Sequence, residues 1–154
     1  MMLEYIFNNK IKQNQIVLNT TYFEVDNENT LKKIEKLNIT IINNLNIEEE
    51  ENENSYDIII FYNVLNDFKK EKTKKLLKKD GKIIFINNII TNYNQFLFHP
   101  LSYLHCFFVK PIYISDFFDQ IRKNELTIKD FDRIDTINVW SYPLEYFSTI
   151  CEYK

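Results

Sequence analysis

Two apolar stretches near the middle of the chain decide the fold: residues 56–62 read YDIIIFY and residues 82–86 read KIIFI. Each is almost continuously apolar and rich in isoleucine, which is typical of a strand covered on both faces. The lysine-rich segment between them has the length of a helix and ends at Asp80-Gly81. Strand, helix and strand in this order predict a parallel β-α-β unit with a right-handed crossover.

The helix between these strands has candidate caps at both ends. Asn66 or Asp67 can cap its first turn, and we expect it to continue through Lys79. Gly81 is the only glycine of the chain, and it follows at the position where a left-handed C-cap is needed. The lysines of this helix favour a solvated face over a phosphate-binding patch.

A second β-α-β unit comes earlier in the chain. Residues 15–18 (QIVL) and 39–42 (ITII) are short apolar runs that predict strands. Between them, residues 29–37 carry leucine and isoleucine at helical spacing, with Asn27 or Asn29 as the candidate N-cap. The two units together predict a mostly parallel sheet.

An acidic loop joins the two units. Residues 46–55 include the run EEEENEN, which has no apolar side chain to bury, so we expect an exposed loop. The loop is short for a connection between parallel strands, and the sequence therefore predicts a trimmed sheet of about five or six strands.

The last third of the chain predicts a helix and a closing strand pair. A helix starts at Ser115, and Thr127 with Asp130 resembles a capping box for one more helical turn. Residues 136–140 and 146–153 then predict two strands, which should pair antiparallel because so few residues join them.

Composition bounds the class of protein. The 154 residues fit a single domain spanning 1–154, and 45% hydrophobic residues argue against disorder. A net charge of −3 gives no nucleic-acid signal, and no segment is apolar and long enough to span a membrane. Two cysteines suit a reducing compartment, so we expect a cytoplasmic protein. Abundant asparagine, isoleucine and lysine with no alanine indicate an AT-rich genome, as in some viruses and plasmids.

The middle and the end of the chain resemble class I S-adenosylmethionine-dependent methyltransferases. SYDIIIFYNVLNDF (55–68) followed by LLKKDGKIIFI (76–86) is similar to the fourth strand, helix and fifth strand of that family. The closing strand pair is similar to its sixth and seventh strands. The resemblance implies a shortened Rossmann-like methyltransferase sheet, mostly parallel with an antiparallel C-terminal strand pair, and it implies S-adenosylmethionine as the cofactor of any active member.

The chain departs from the family at two parts of the cofactor site. The family binds its cofactor at a glycine-rich turn after the first strand, whereas residues 19–23 here read NTTYF. The family also uses an acidic residue at the end of the second strand to hold the ribose, and here that strand ends in Asn43-Asn44. We therefore expect no cofactor-binding residues and no bound cofactor.

Few side chains are candidates for metal binding, catalysis or partner binding. His99, His105 and Cys106 are the one cluster that resembles metal ligands, but a fourth ligand is missing, so we expect no metal. We expect no catalytic residue either; if the chain is active, Asn63 and Asn66 are the candidates. Aromatic residues crowd residues 93–113, and an exposed group of them would form a partner surface. The interface candidates are Phe96, Phe98, Tyr103, Phe107, Phe108 and Tyr113.

These observations predict a non-catalytic methyltransferase-like subunit, a pseudoenzyme with a regulatory role. It would bind a larger catalytic subunit and stimulate or stabilise it, in the manner of the small stimulatory subunit of poxvirus-type mRNA capping enzyme, which it resembles. An RNA cap methyltransferase is then the expected partner. The alternative is a divergent but active S-adenosylmethionine-dependent methyltransferase.

Overall fold

A computed structural model describes residues 2–65, 68–92, 111–139 and 142–154. These residues form a seven-stranded sheet with the order β2-β1-β3-β4-β7-β6, and β5 pairs with the far end of β4. The elements, in chain order, are α1 (Met2–Asn9), β1 (Ile16–Asn19), α2 (Glu28–Lys36), β2 (Thr40–Asn43), a 3₁₀ turn (Ile47–Glu49), β3 (Tyr56–Tyr62), α3 (Lys70–Leu76), β4 (Leu77–Ile90), β5 (Ile112–Tyr113), α4 (Ile114–Lys123), β6 (Leu126–Val139) and β7 (Tyr142–Tyr153).

The sheet is parallel on one side and antiparallel on the other. β1 pairs in parallel with both β2 and β3, and β3 pairs in parallel with β4. β7 then runs antiparallel between β4 and β6. The structure therefore confirms the expected mostly parallel sheet with an antiparallel C-terminal pair. The expected count of five or six strands omitted the short β5.

Helices cover both faces of the sheet, which explains why its central strands are continuously apolar. On one face α1 and α2 pack through Phe7 and Ile34 onto Ile58 and Ile84. On the other face the 3₁₀ turn, α3 and α4 pack onto a second cluster. That second cluster is centred on the fully buried side chains of Ile59, Ile83, Phe85, Leu76 and Phe117. The result is a three-layer α/β/α arrangement.

The predicted C-cap at Asp80-Gly81 is wrong. α3 ends at Leu76, β4 starts at once at Leu77, and Gly81 does not have a positive φ. Residues 78–81 instead form a bulge in β4 opposite Asp57. A Cβ on Gly81 would lie 2.8 Å from Leu77 Cδ2 and 2.9 Å from the Lys78 carbonyl oxygen. Glycine is needed there for close approach of the backbone rather than for a left-handed conformation.

The predicted helical turn at Thr127 and Asp130 is also wrong. Both residues lie in β6, opposite Glu152 and Ile150 of β7. A local capping signal is weak beside a long antiparallel ladder, and here the ladder decides the structure. Helix α1 was not predicted at all, although Leu3, Ile6 and Phe7 bury its inner face.

The acidic loop is less exposed than its sequence predicts. Ile47 of the 3₁₀ turn is buried, and Glu50 is only 6% exposed. The Glu50 carboxylate accepts hydrogen bonds from Asn52 Nδ2 at 2.6 Å and from Asn44 Nδ2 at 3.3 Å. Burial tends to raise its pKa, but the neighbouring Tyr56 hydroxyl and these amides outweigh burial and lower the pKa below its usual value.

Candidate functional site: the crevice between β1 and β3

The carboxyl ends of the parallel strands define the place where a fold of this kind binds ligands. From β1 the chain crosses to β2 on one side of the sheet, whereas from β3 it crosses to β4 on the other. Ligands of open α/β sheets bind where the strand order reverses in this way. We call the cleft between the carboxyl ends of β1 and β3 the switch crevice.

Asn19, the last residue of β1, organises the turn that follows it. Its side chain is 2% exposed. Oδ1 accepts from Thr21 N at 3.1 Å and from Thr21 Oγ1 at 2.7 Å. Nδ2 donates to the Phe23 carbonyl oxygen and to Asn43 Oδ1, both at 2.9 Å. Two acceptances and two donations use the hydrogen-bonding capacity of a carboxamide, so the turn is held by its own side chains.

Thr20 and Phe23 close the switch crevice. The Ile60 carbonyl oxygen accepts from Thr20 N at 3.1 Å and from Thr20 Oγ1 at 2.7 Å, which extends the pairing of β1 with β3 beyond the end of the strand. The Phe23 ring then packs edge-on against Tyr62 with ring centroids 5.0 Å apart. Thr20 and Phe23 thus join the turn after β1 to β3 at this end of the crevice, and a cavity of about 180 Å³ remains between Thr20, Leu45 and Phe61.

The residues at this edge do not fit S-adenosylmethionine. The methyl donor of the related fold approaches a glycine backbone after the first strand, and here Thr20 to Phe23 bring side chains to that position. At the end of β2 the Asn43 amide oxygen already accepts from Asn19, and the Glu50 carboxylate beyond the strand already accepts from Asn44 and Asn52.

A cavity of about 300 Å³ lies beside the crevice, between α1, α2 and the ends of β1 and β2. This volume is at the lower end for small-molecule sites. Its one acidic lining residue, Glu24, follows β1 rather than β2. The lining residues are Phe7, Asn19, Glu24, Val25, Leu31, Ile41 and Asn43.

Asn63, the candidate if the chain is active, has a structural role in the fold. It follows β3 with φ of 50°, and its N–H donates to the Ile86 carbonyl oxygen at 3.0 Å. Its Oδ1 accepts from Asn88 N at 3.1 Å. These bonds join the carboxyl ends of β3 and β4. The other candidate, Asn66, lies outside the described residues, as does Asp67.

Two titratable groups of β7, which pairs with β4, keep their protons at neutral pH. Burial and then the neighbouring Tyr62 hydroxyl raise the pKa of Tyr146. Burial raises the pKa of the Cys151 thiol to about 12. A phenol and a thiol with raised pKa values stay protonated, and neither can act as base or nucleophile.

The remaining sequence-based candidates are only partly described. Among residues 2–65, 68–92, 111–139 and 142–154, no group of three His, Cys, Asp or Glu residues could hold a metal ion. Tyr113 pairs with Ile90 as part of β5 and is half-buried. The other aromatic and metal candidates lie outside the described residues: Phe96, Phe98, His99, Tyr103, His105, Cys106, Phe107 and Phe108.

Sequence reasoning found the missing glycine turn but not the network that replaces it. An asparagine followed by two threonines, as at Asn19-Thr20-Thr21, is the signal that could have revealed the turn, since such side chains hydrogen-bond their own backbone. The closing contact of Phe23 with Tyr62 spans 39 positions of sequence, and no local pattern predicts it.

Solved structures share this fold. A SAM-dependent methyltransferase from Methanosarcina mazei superposes with a TM-score of 0.57 at 9% identity, covering 96% of each chain. One from Thermotoga maritima gives 0.53 at 12% identity, over 98% of this chain and 87% of that one. A chain from the complex of the Haloferax volcanii Trm112 methyltransferase activator with a methyltransferase gives 0.57 at 8% identity, over 97% and 88%.

At such low identities the likeness shows the fold alone, and the chain has the class I methyltransferase fold in shortened form. No family model matches the sequence, and no curated protein matches it significantly. Within the described part of the chain, no helix is both long and apolar enough to cross a membrane.

Proposed function

We propose that this chain is a non-catalytic methyltransferase-like subunit that binds a larger catalytic partner and stimulates or stabilises it. The observation that carries the proposal is the closed switch crevice. A methyl donor placed at the carboxyl ends of β1 and β3 would meet the side chains of Thr20 and Phe23, which bond to Ile60 and pack on Tyr62.

The cost of opening the crevice supports a role without the cofactor. Moving the Thr20 hydroxyl and the Phe23 ring aside would break one hydrogen bond and one edge-to-face ring contact, at about 1 kcal/mol each. A penalty of about 2 kcal/mol weakens any ligand roughly 30-fold. The Asn19 network would then have to be rebuilt as well, and no carboxylate at Asn43 would compensate by holding the ribose.

A partner role is supported by a structure of similar fold that was solved in a complex. One structure of similar fold comes from a complex between a methyltransferase activator and a methyltransferase. The aromatic residues named above supply a candidate surface on this chain, and burying them would stabilise the partner's active conformation by binding it better than the inactive one. An RNA cap methyltransferase is the partner class that the sequence resemblance suggests.

The direct test is calorimetric titration of the folded chain with S-adenosylmethionine and S-adenosylhomocysteine. We expect no heat of binding, with an active class I methyltransferase titrated in parallel as the control for the ligands. Micromolar binding would overturn the proposal and favour the alternative of a divergent active enzyme, in which Asn63 would be the first residue to replace.

The partner role needs its own assay. A methyltransferase that co-purifies with the tagged chain is assayed for methyl transfer with and without added chain, and we expect kcat/KM to rise when the chain is present. Replacing Phe107 and Phe108 by serine should remove the increase. Tyr22→Ser is the matched control, because Tyr22 is an aromatic side chain that is 83% exposed on the turn after β1. Unchanged kcat/KM on addition of the chain contradicts the proposal.

A further inference from the structure

A second cavity, of about 330 Å³, lies at the edge of the sheet opposite the switch crevice. Its walls come from the start of β4, the last turn of α3 and the end of β7, which reaches this edge because it runs antiparallel to β4. The volume is enough for a small-molecule ligand. Three of the lining residues are lysines, Lys74, Lys78 and Lys79, and we call this space the lysine cavity.

The end of α3 brings these lysines around one space. A helix continuing through Lys79, as the sequence predicts, would carry all three on a solvated helix surface. α3 instead ends at Leu76, and Lys78 and Lys79 belong to the bulge of β4. Lys74 on the helix and two lysines on the strand therefore line the same cavity.

The only glycine of the chain lines this cavity as well. A Cβ on Gly81 would lie 2.8 Å from Leu77 Cδ2, and Leu77 is another residue of the cavity wall. A side chain at position 81 would thus push the wall of the cavity apart. The one position at which this chain uses glycine is a position that shapes the lysine cavity.

Most carboxylates around the lysine cavity already have a lysine partner. Lys82 and Lys129 bind the two oxygens of Glu152 at 3.4 and 3.2 Å. Asp57 binds Lys78 at 2.9 Å. With these ion-pair partners included, and with the exposed Asp80 of the lining, five lysines surround the cavity against three carboxylates. The cavity is therefore positive in a chain whose net charge is −3.

The ammonium groups of Lys74 and Lys79 are available to a ligand. Among the described residues, no carboxylate lies within ion-pair distance of either. Lys74 Nζ lies 5.7 Å from the centroid of the Tyr153 ring, and the Tyr153 hydroxyl donates to the Lys70 carbonyl oxygen at 2.8 Å. Glu125, whose charge interacts with Lys74, is bound by Lys70 at 2.5 Å.

The lining favours a small phosphate-containing anion. Lysine binds phosphate as a point charge, whereas a planar carboxylate is typically held by the forked donors of arginine. The lining, made of described residues, includes lysines and no arginine. A diphosphate can contact a lysine of the helix and a lysine of the bulge together. A nucleic-acid strand would extend beyond the cavity onto a protein of negative net charge.

We propose that the lysine cavity binds a diphosphate group, either free or as part of a nucleotide, between the ammonium groups of Lys74 and Lys79. The inference does not rest on the proposed function, because the cavity and the switch crevice lie at opposite edges of the sheet. It gives the chain a small-molecule ligand other than a methyl donor.

The test is calorimetric titration of the full chain, at low ionic strength, with sodium pyrophosphate and separately with ADP. We expect a Kd for pyrophosphate below about 1 mM. Lys74→Gln and Lys79→Gln each remove one ammonium group and should raise that Kd about 10-fold or more. Lys75→Gln is the matched control, because Lys75 is an exposed lysine of the same helix that does not line the cavity. It should change the Kd by less than about 2-fold.

The two ligands distinguish the sources of the diphosphate. Equal Kd values identify the free anion as the ligand, and a lower Kd for ADP identifies a nucleotide. No heat with either ligand overturns the proposal, as does equal weakening by Lys75→Gln and Lys74→Gln. Binding of S-adenosylmethionine, which would overturn the proposed function, is a separate result, since Lys74→Gln and Lys79→Gln should leave it unchanged.

Discussion

At the scale of single residues, the Asn19 carboxamide holds the turn that follows β1. A glycine turn is open because it has no side chains, and its backbone is completed by the ligand. Here the Asn19 carboxamide bonds to the backbone or side chains of Thr21, Phe23 and Asn43 instead. A buried carboxamide with all its bonds made is costly to disturb, so the closed turn is a stable structure in its own right.

Gly81 carries the first prediction at this scale. Gly81→Ala should lower the free energy of unfolding by about 1–3 kcal/mol, because the new Cβ overpacks against the Lys78 carbonyl oxygen and the Leu77 side chain. Urea denaturation measures the change. Lys79→Ala alters an exposed side chain of the same bulge and should stay within about 0.5 kcal/mol of the wild type. Equal stability of Gly81→Ala and the wild type would show that the bulge can widen freely.

At the scale of elements, α2 depends on a single cap. Asn27 Oδ1 accepts from Asn29 N at 3.0 Å and from Thr30 N at 3.2 Å. Asn27→Ala should therefore destabilise the protein by about 1 kcal/mol in thermal or urea unfolding. Asn29→Ala is the comparison, since Asn29 lies inside the helix, where alanine is a better helix former. If both changes have the same effect, the cap contributes nothing measurable.

The elements also show what the sequence could predict. β3 and the inner part of β4 were predicted correctly because strands covered on both faces must be apolar throughout. The start of β4 was predicted wrongly, because Asp80-Gly81 fits the local pattern of a helix end. Pairing with β3 makes these residues part of β4 instead. α1 was missed although Leu3, Ile6 and Phe7 stand at helical spacing, a local signal that the sequence did contain.

At the candidate site, too, local features could be predicted from the sequence and contacts between distant residues could not. The absence of a glycine turn could be read directly from residues 19–23, because the requirement is local. The contacts of Thr20 with Ile60 and of Phe23 with Tyr62 could not be predicted from the sequence. Both contacts depend on β3 lying beside β1.

At the scale of the whole molecule, two carboxylates on opposite sides of the sheet hold its outer layers. Asp132 of β6, together with Asp130, binds Lys10 at the end of α1. The hydrogen bond from Lys10 lowers the pKa of Asp132. On the other face Glu50 holds the connection between β2 and β3, and its pKa is also lowered. Both layers thus depend on carboxylates that must stay ionised.

Acid should therefore loosen both layers together. A carboxyl whose pKa is lower in the folded than in the unfolded state binds fewer protons when folded, so its contribution is complete above the unfolded pKa of about 4 and is lost as the pH falls through the folded value. We expect the free energy of unfolding, measured with urea from pH 6 downward, to decrease below about pH 4.5.

Glu50→Gln and Asp132→Asn should each lower stability at neutral pH and make the acid slope shallower by up to about one proton. Glu51→Gln removes an exposed charge beside Glu50 and is the matched control. An acid slope that is unchanged in Glu50→Gln and in Asp132→Asn would show that these carboxylates do not hold the layers, and that other groups take up the protons on unfolding.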